Sequence, residues 1–239
     1  MPMAYNSPPN PPAMQTWAER DIVALDRLPE PVRCRIFEIV LRVRHPLYLF
    51  QDSPTRVELF APEKPRNWHG LLRINKRLGL EASAVLYSKN TFILTVTSPR
   101  EADLLETFLR CIGPKNASFL EHLCISFPAV ELYQSDEPQA DSFRLRQDSA
   151  RVFALLKDQC TSLSTLELCV HSKNCDGMTS TSPGQRQHIP EMLSYVERHF
   201  REMQMLGRII IKISSGDLLP ETVDAMRGHG WVIAPGRGH

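Results

Sequence analysis

Three segments of the chain share a spacing of apolar residues that strongly restricts its fold. They begin at Leu120, Leu163 and Leu206 and read Leu-x-x-Leu-x-Ile-x-Phe, Leu-x-x-Leu-x-Leu-x-Val and Leu-x-x-Ile-x-Ile-x-Ile. Apolar residues at every second position are typical of a β-strand with one buried face. Patterns typical of helices lie between the segments, around residues 149–158 and 190–205. This alternation of strands and helices predicts an α/β fold with a parallel sheet.

The shared pattern also resembles the strand part of a leucine-rich repeat. Leu123, Leu166 and Ile209 are each 43 residues apart, whereas leucine-rich repeats usually have about 20–29 residues. We therefore expect an irregular, leucine-rich-repeat-like strand–helix layer over residues 91–235, with polar loop insertions at about 133–148 and 172–187. The alternative interpretation is an ordinary parallel α/β layer, in which such spacing arises by chance.

The residues between the apolar positions of these strands face the other side of the predicted sheet. Most of them are polar or small, whereas a strand buried on both faces would be apolar throughout. We therefore expect this face to be open to water, or covered by a polar partner or by the N-terminal hairpin, and we hypothesise that it binds a partner protein. The residues are His122, Cys124, Ser126, Thr165, Glu167, Cys169, Arg208, Ile210 and Lys212.

The N-terminal part of the chain has a different, α+β pattern. Residues 1–20 are rich in proline and lack apolar periodicity, which predicts a disordered tail. Residues 21–90 then predict a helix that starts at Leu28-Pro29, a β-hairpin over 47–60 and a second helix from about Leu71. The first helix carries one apolar stripe, which favours either the inner face of a core helix or a docking face. The stripe consists of Leu28, Val32, Ile36, Ile39, Val40 and Val43.

Two segments of this N-terminal part resemble a known family. LPEPVRCRIFEIVL (28–41) resembles the opening helix of F-box proteins, and LLRINKRLGLEASAVLYSKNTFIL (71–94) is similar to a segment that follows it in fungal F-box-like proteins of unknown function. The resemblance implies a substrate-recognition subunit of a cullin-type ubiquitin ligase. The first helix would bind a Skp-type adaptor, and the C-terminal half would bind an unknown substrate. The implied adaptor-binding residues are Leu28, Pro29, Val32, Ile36 and Val40.

No motif for catalysis, a metal or a cofactor is recognisable. Cys169, His171, Cys175 and His188 lack the paired spacing of zinc ligands, and no phosphate-binding loop or nucleophile elbow is present. The sequence therefore predicts a non-enzymatic interaction protein without a metal or cofactor. The alternatives are an enzyme whose site is assembled from scattered loop residues, or a scaffold protein with no link to ubiquitin.

Several charged residues of the helices have simpler interpretations. Ser98 and Glu101 match a capping box at a helix start, and the Glu101 and Asp103 carboxylates are then expected to be solvated. Glu81 lies four residues after Arg77, which favours an ion pair within one helix. These side chains are accordingly predicted to have structural roles only.

Composition sets the broad class of protein. The formal net charge is +1 and no run of lysine and arginine occurs, which argues against binding to nucleic acid through a basic surface. The sequence also shows no apolar run long enough to cross a membrane and no secretory signal, so we expect an intracellular protein. In a reducing compartment its 6 cysteines are expected to be reduced.

Overall fold

Strands and helices alternate along most of the chain. The computed structural model describes residues 25–53, 56–62, 68–95, 100–133, 142–171, 188–214 and 218–234. After a 3-10 turn at Leu25–Arg27, the helices are α1 (Glu30–Leu41), α2 (Trp68–Leu72), α3 (Lys76–Ser88), α4 (Glu101–Ile112), α5 (Pro114–Ala117), α6 (Gln147–Gln159), α7 (Ile189–Arg201) and α8 (Pro220–Gly228). The strands are β1 (Leu47–Ser53), β2 (Arg56–Phe60), β3 (Phe92–Leu94), β4 (His122–Ser126), β5 (Val130–Tyr133), β6 (Ser142–Leu145), β7 (Thr165–Val170), β8 (Arg208–Ile213) and β9 (Val232–Ala234).

One mostly parallel sheet dominates the described residues, which confirms the predicted α/β class. Its seven strands within that part of the chain have the order β2-β1-β3-β4-β7-β8-β9, and only β2 is antiparallel to its neighbour. Leu123 pairs with Leu166, and Leu166 pairs with Ile209. The spacing of 43 residues in the sequence is therefore the register of the sheet.

The sheet continues across the boundary predicted between residues 90 and 91. Strand β1 of the predicted N-terminal hairpin pairs in parallel with β3, with Leu47 opposite Phe92 and Leu49 opposite Leu94. The hairpin itself, β1 with β2, forms as the sequence predicts. The N-terminal and C-terminal parts of the chain therefore share one sheet and one continuous core.

The helices cover a single face of this sheet. Within this sheet β3, β4, β7, β8 and β9 lie side by side in chain order, and the usual right-handed crossover between parallel strands places the connecting helices on one side. Leu123, Leu166 and Ile211 are buried in one apolar core with Leu105 of α4 and Leu193 of α7, whereas the alternate residues of the strands do not belong to that core. We refer to the opposite side of the sheet as the open face.

Helix α1 does not direct the apolar stripe predicted from the sequence towards the core. Its buried residues are Arg33, Phe37 and Leu41, whereas Val32 and Ile39 are exposed. The interpretation of the apolar stripe as the inner face of a core helix is therefore wrong. The helix buries a second, shorter apolar set, and Val32, Ile39 and Val40 of the longer stripe face solvent.

The polar insertion predicted at 133–148 is also only partly correct. Strand β6 pairs with β5 in a separate antiparallel ribbon, and α6 begins at Gln147. Residues 134–141, the second predicted insertion at 172–187 and the predicted tail at 1–20 lie outside the described residues. No helix in the described part of the chain is long and apolar enough to cross a bilayer.

Candidate functional site

The open face brings together the nine residues that the sequence placed there. The strand register sets His122 beside Thr165, and Cys124 beside Glu167. It also sets Cys169 between Ser126 on β4 and Lys212 on β8. Thr165 and Glu167 adjoin the remaining two residues, Arg208 and Ile210.

A chain of polar contacts links Thr91, His122, Glu167 and Lys212 at the centre of the open face. The Glu167 carboxylate lies 2.9 Å from His122 Nε2 and forms an ion pair with the Lys212 ammonium. The other ring nitrogen of His122, Nδ1, lies 2.9 Å from the Thr91 hydroxyl. Burial alone would raise the pKa of Glu167, but the contacts with His122 and Lys212 outweigh it and hold the pKa at about 2. Glu167 is therefore a fixed negative charge at neutral pH.

Two thiols meet beside this carboxylate. Cys124 Sγ and Cys169 Sγ are 3.3 Å apart on neighbouring strands, and both cysteines are free. The hydrogen bond between the two thiols lowers the pKa of Cys169 to about 7 although burial acts in the opposite direction, and the Ser214 hydroxyl and the Lys212 charge lower it further. The same contact raises the pKa of Cys124 strongly. Cys169 is thus the more acidic thiol of the pair.

Burial limits how a partner can use this face. Cys124 has no exposed surface and Glu167 is 6% exposed, so neither is available for direct contact with another protein. Arg208 is exposed, and Thr165, Ile210 and Lys212 are partly exposed. The hypothesis that all nine residues form a contact surface therefore needs correction, because Cys124 and Glu167 belong to a buried polar centre.

Glu101 is a buried carboxylate that the sequence analysis misread as solvated. It is 8% exposed, and it accepts from the Ser126 backbone N–H at 2.8 Å at the end of β4. Burial raises its pKa to about 7. The start of α4 is capped instead by Asp148 of α6, which accepts from the Glu101 and Ala102 backbone N–H groups at 3.1 and 3.3 Å. Ser98, the other half of the predicted capping box, lies outside the described residues.

A second candidate site is the outward side of α1. Val32, Ile39 and Val40 have exposed fractions of 45%, 70% and 37%, and Ile36 between them is half-buried. Their spacing of three and four residues places them in one row along the helix. Leu28 is half-buried and Pro29 is exposed at the start of this row. We call this row the α1 stripe; it contains every residue that the resemblance assigns to adaptor binding.

Two polar side chains of the segment 71–94, Glu81 and Asn90, set the orientation of α1. Glu81 of α3 accepts two hydrogen bonds from Arg33, at 2.7 Å from Nε and 2.6 Å from a terminal nitrogen. Asn90 is buried and accepts from the Val43 N–H at 2.8 Å, while its amide donates to the Leu41 and Leu86 carbonyl oxygens at 3.0 and 2.8 Å. Both side chains thus link α3 to α1.

The sequence analysis did not identify these roles. It predicted an ion pair between Arg77 and Glu81, but Glu81 pairs with Arg33, and Arg77 donates to the Asp26 carbonyl oxygen at 2.9 Å. Partners 48 residues apart leave no local signal.

The described residues contain no group of three or more His, Cys, Asp or Glu side chains arranged to hold a metal ion, and Cys175 lies outside them.

Comparison with protein-family models, with curated proteins and with solved structures finds no match to this chain. The resemblance to fungal F-box-like proteins therefore stays a prediction.

Proposed function

We propose that this protein is a non-enzymatic interaction protein whose α1 stripe docks into a Skp-type adaptor of a cullin-type ubiquitin ligase. The observation that carries the proposal is the exposure of Val32, Ile39 and Val40 on a helix that has other apolar residues for its core contacts. Scattered exposed apolar residues are ordinary, but a row of them on one helix is typical of a protein-binding face. The family resemblance supplies the adaptor as the partner.

The anchoring of α1 favours binding by a preorganised helix. Phe37 and Leu41 are fully buried, and the contacts of Arg33 and Asn90 hold both ends of the inner side. Binding of a partner therefore carries no free-energy cost for ordering this helix. The free energy gained by burying its apolar side chains then contributes fully to affinity.

The sheet supplies a second surface for a substrate in this proposal. The sequential strand–helix units from β3 to β9 support the leucine-rich-repeat-like interpretation, in which such units present the open face to a ligand. Arg208 and Val232 are exposed on it, and the ion pairs of Glu167 with His122 and Lys212 link three strands at its centre. We assign substrate contact to this exposed border rather than to the buried centre.

Binding to a purified Skp-type adaptor tests the proposal. Isothermal titration with the full chain should give a one-to-one complex. The double variant Val32→Asp/Ile39→Asp should bind about 100-fold more weakly, because two apolar contacts are lost. Met205→Asp is the matched control, since Met205 is also apolar and 61% exposed but lies after α7. Absence of wild-type binding, or equal binding by the double variant, would overturn the proposal.

A further inference from the structure

Two free thiols on neighbouring strands lie in contact on the open face. Cys124 Sγ of β4 and Cys169 Sγ of β7 are 3.3 Å apart. A disulfide bond is about 2.05 Å long, so the two sulfurs need to approach by about 1.3 Å to bond. Cys169 pairs with Ser126, two positions along β4 from Cys124. A bond between the sulfurs therefore runs diagonally from one strand to the next.

We propose that this pair is an oxidative modification site, at which hydrogen peroxide converts the two thiols into a reversible disulfide. Cys169 is the thiol that reacts with the peroxide, and Cys124 is the thiol that resolves the product. In a reducing compartment the pair stays reduced until peroxide is present. The proposal concerns the sheet and is independent of adaptor binding by α1.

The different exposure of the two thiols assigns their roles. Cys169 is half-buried, so a small peroxide molecule reaches its sulfur, whereas Cys124 is fully buried. Cys124 reacts instead with the sulfur that it already contacts. Cysteines that respond to peroxide are typically accessible and lie next to a second, resolving thiol. Contact and access thus both match a peroxide-sensitive pair.

The surroundings of Cys169 favour the thiolate, which is the form that attacks peroxide. The hydrogen bond with Cys124 lowers the pKa of this thiol to about 7 against the effect of burial. The Ser214 hydroxyl and the Lys212 charge lower it further, whereas the Glu167 charge has a smaller, opposite effect. Lys212 lies beside Cys169 in the register, so its ammonium is placed to stabilise the negative sulfur.

The oxidation proceeds in two steps. In the first, the Cys169 thiolate attacks one oxygen of hydrogen peroxide, a sulfur–oxygen bond forms, the oxygen–oxygen bond breaks, and the second oxygen leaves as hydroxide. The sulfur is oxidised by two electrons to a sulfenic acid, and the peroxide is reduced. In the second step, the Cys124 sulfur attacks the Cys169 sulfur, the sulfur–oxygen bond breaks, and the oxygen leaves as water with the Cys124 proton. A thiol reductant restores both cysteines by exchange.

Peptide mapping of the full wild-type chain after treatment with equimolar hydrogen peroxide tests the proposal. Combined cleavage after Lys, Arg and Glu places Cys124 in peptide 122–131, Cys169 in peptide 168–173 and Cys111 in peptide 111–115. We expect a disulfide that joins the first two peptides and is lost on treatment with dithiothreitol. Cys111 is the internal control, because it is exposed on α4. Its oxidation should be at least about 10-fold slower than that of Cys169.

The variant Cys124→Ala separates the two steps. Without the resolving thiol, Cys169 should accumulate as a sulfenic acid that dimedone traps, whereas Cys169→Ala should leave Cys124 unoxidised. The proposal is overturned if the wild-type chain forms no bond between Cys124 and Cys169, if the bond joins other cysteines or two chains, or if Cys169 reacts no faster than Cys111. If an alanine variant unfolds, as judged by circular dichroism, peptide mapping of the wild-type chain decides alone.

Discussion

Arg33 and Glu81 form a two-point ion pair that joins α1 to α3, with nitrogen–oxygen distances of 2.6 and 2.7 Å. Their side chains are 6% and 15% exposed, so the pair lies at the contact between the helices rather than on the surface. The hydrogen bonds from Arg33 lower the pKa of Glu81. Because Arg33 is fixed towards α3, Val32 and Ile39 are turned to solvent.

Replacing Arg33 should show how much the fold depends on this pair. We expect Arg33→Gln to lower the urea midpoint of unfolding, because the Glu81 carboxylate is left without its partner at the helix contact. Arg35→Gln is the matched control: Arg35 is on the same helix, but its pair with Glu38 is largely exposed, and the midpoint should not change. Equal midpoints for the two variants would show that the pair does not hold α1.

Helix α3 approaches the backbone of α2 closely at Gly79. A Cβ atom placed there would lie 2.5 Å from the Leu72 carbonyl oxygen, whereas a Cβ atom on Gly70 meets nothing within 4 Å. We therefore expect Gly79→Ala to cost about 1–3 kcal/mol of stability through overpacking. Gly70→Ala should instead be neutral or stabilise by about 0.4–1 kcal/mol. Thermal unfolding of both variants measures the contrast, and a neutral Gly79→Ala would contradict the close packing of α2 on α3.

Glu101 should make stability depend on pH in an unusual direction. Its pKa is about 7 in the folded protein and 4.5 without the fold, so the folded state binds more protons between these values. Stability from this group is full below pH 4.5 and is lost as the pH rises through 7. Glu101→Gln should therefore stabilise the protein at pH 8, by about 3 kcal/mol or less, and should have little effect at pH 4.

Glu167 provides the opposite case within the same molecule. Its folded pKa of about 2 is below the ordinary 4.5, so its contribution is present above pH 4.5 and is lost as the pH falls towards 2. Glu167→Gln should therefore destabilise the protein at pH 7. Urea unfolding of both variants across pH 4–8 checks the two signs, and a shared direction at pH 8 would contradict the different surroundings assigned to the two carboxylates.

The sheet was the most predictable feature of the molecule. The alternation around Leu123, Leu166 and Ile209 fixed both the strands and their register, because every second side chain must enter the same core. The polar residues of the open face followed from the same rule. The burial of these residues could not be predicted in the same way. Burial of Cys124 and Glu167 depends on neighbouring strands and on ion pairs between residues about 45 positions apart.

The orientation of α1 and the state of Glu101 were not predictable from local patterns. Two apolar sets compete on α1, and the usual preference for burying the longer one is overridden by Phe37, Leu41 and the Arg33 contact. The Glu101 carboxylate is buried at the end of β4, where it accepts from the Ser126 N–H, and Asp148, 47 residues away, caps α4. Tertiary contacts of this kind decide both features, and neither leaves a periodic signal in the sequence.

Hydrogen exchange of the full chain with and without a saturating Skp-type adaptor is the most direct test of the α1 stripe as a docking face. We predict slower exchange of the backbone amides of Glu30–Leu41 in the complex, because a partner seated on Val32 and Ile39 suppresses local opening of the helix. Exchange in α7 should stay unchanged. Unchanged exchange in α1, or slowing confined to other elements, would contradict the proposed docking face.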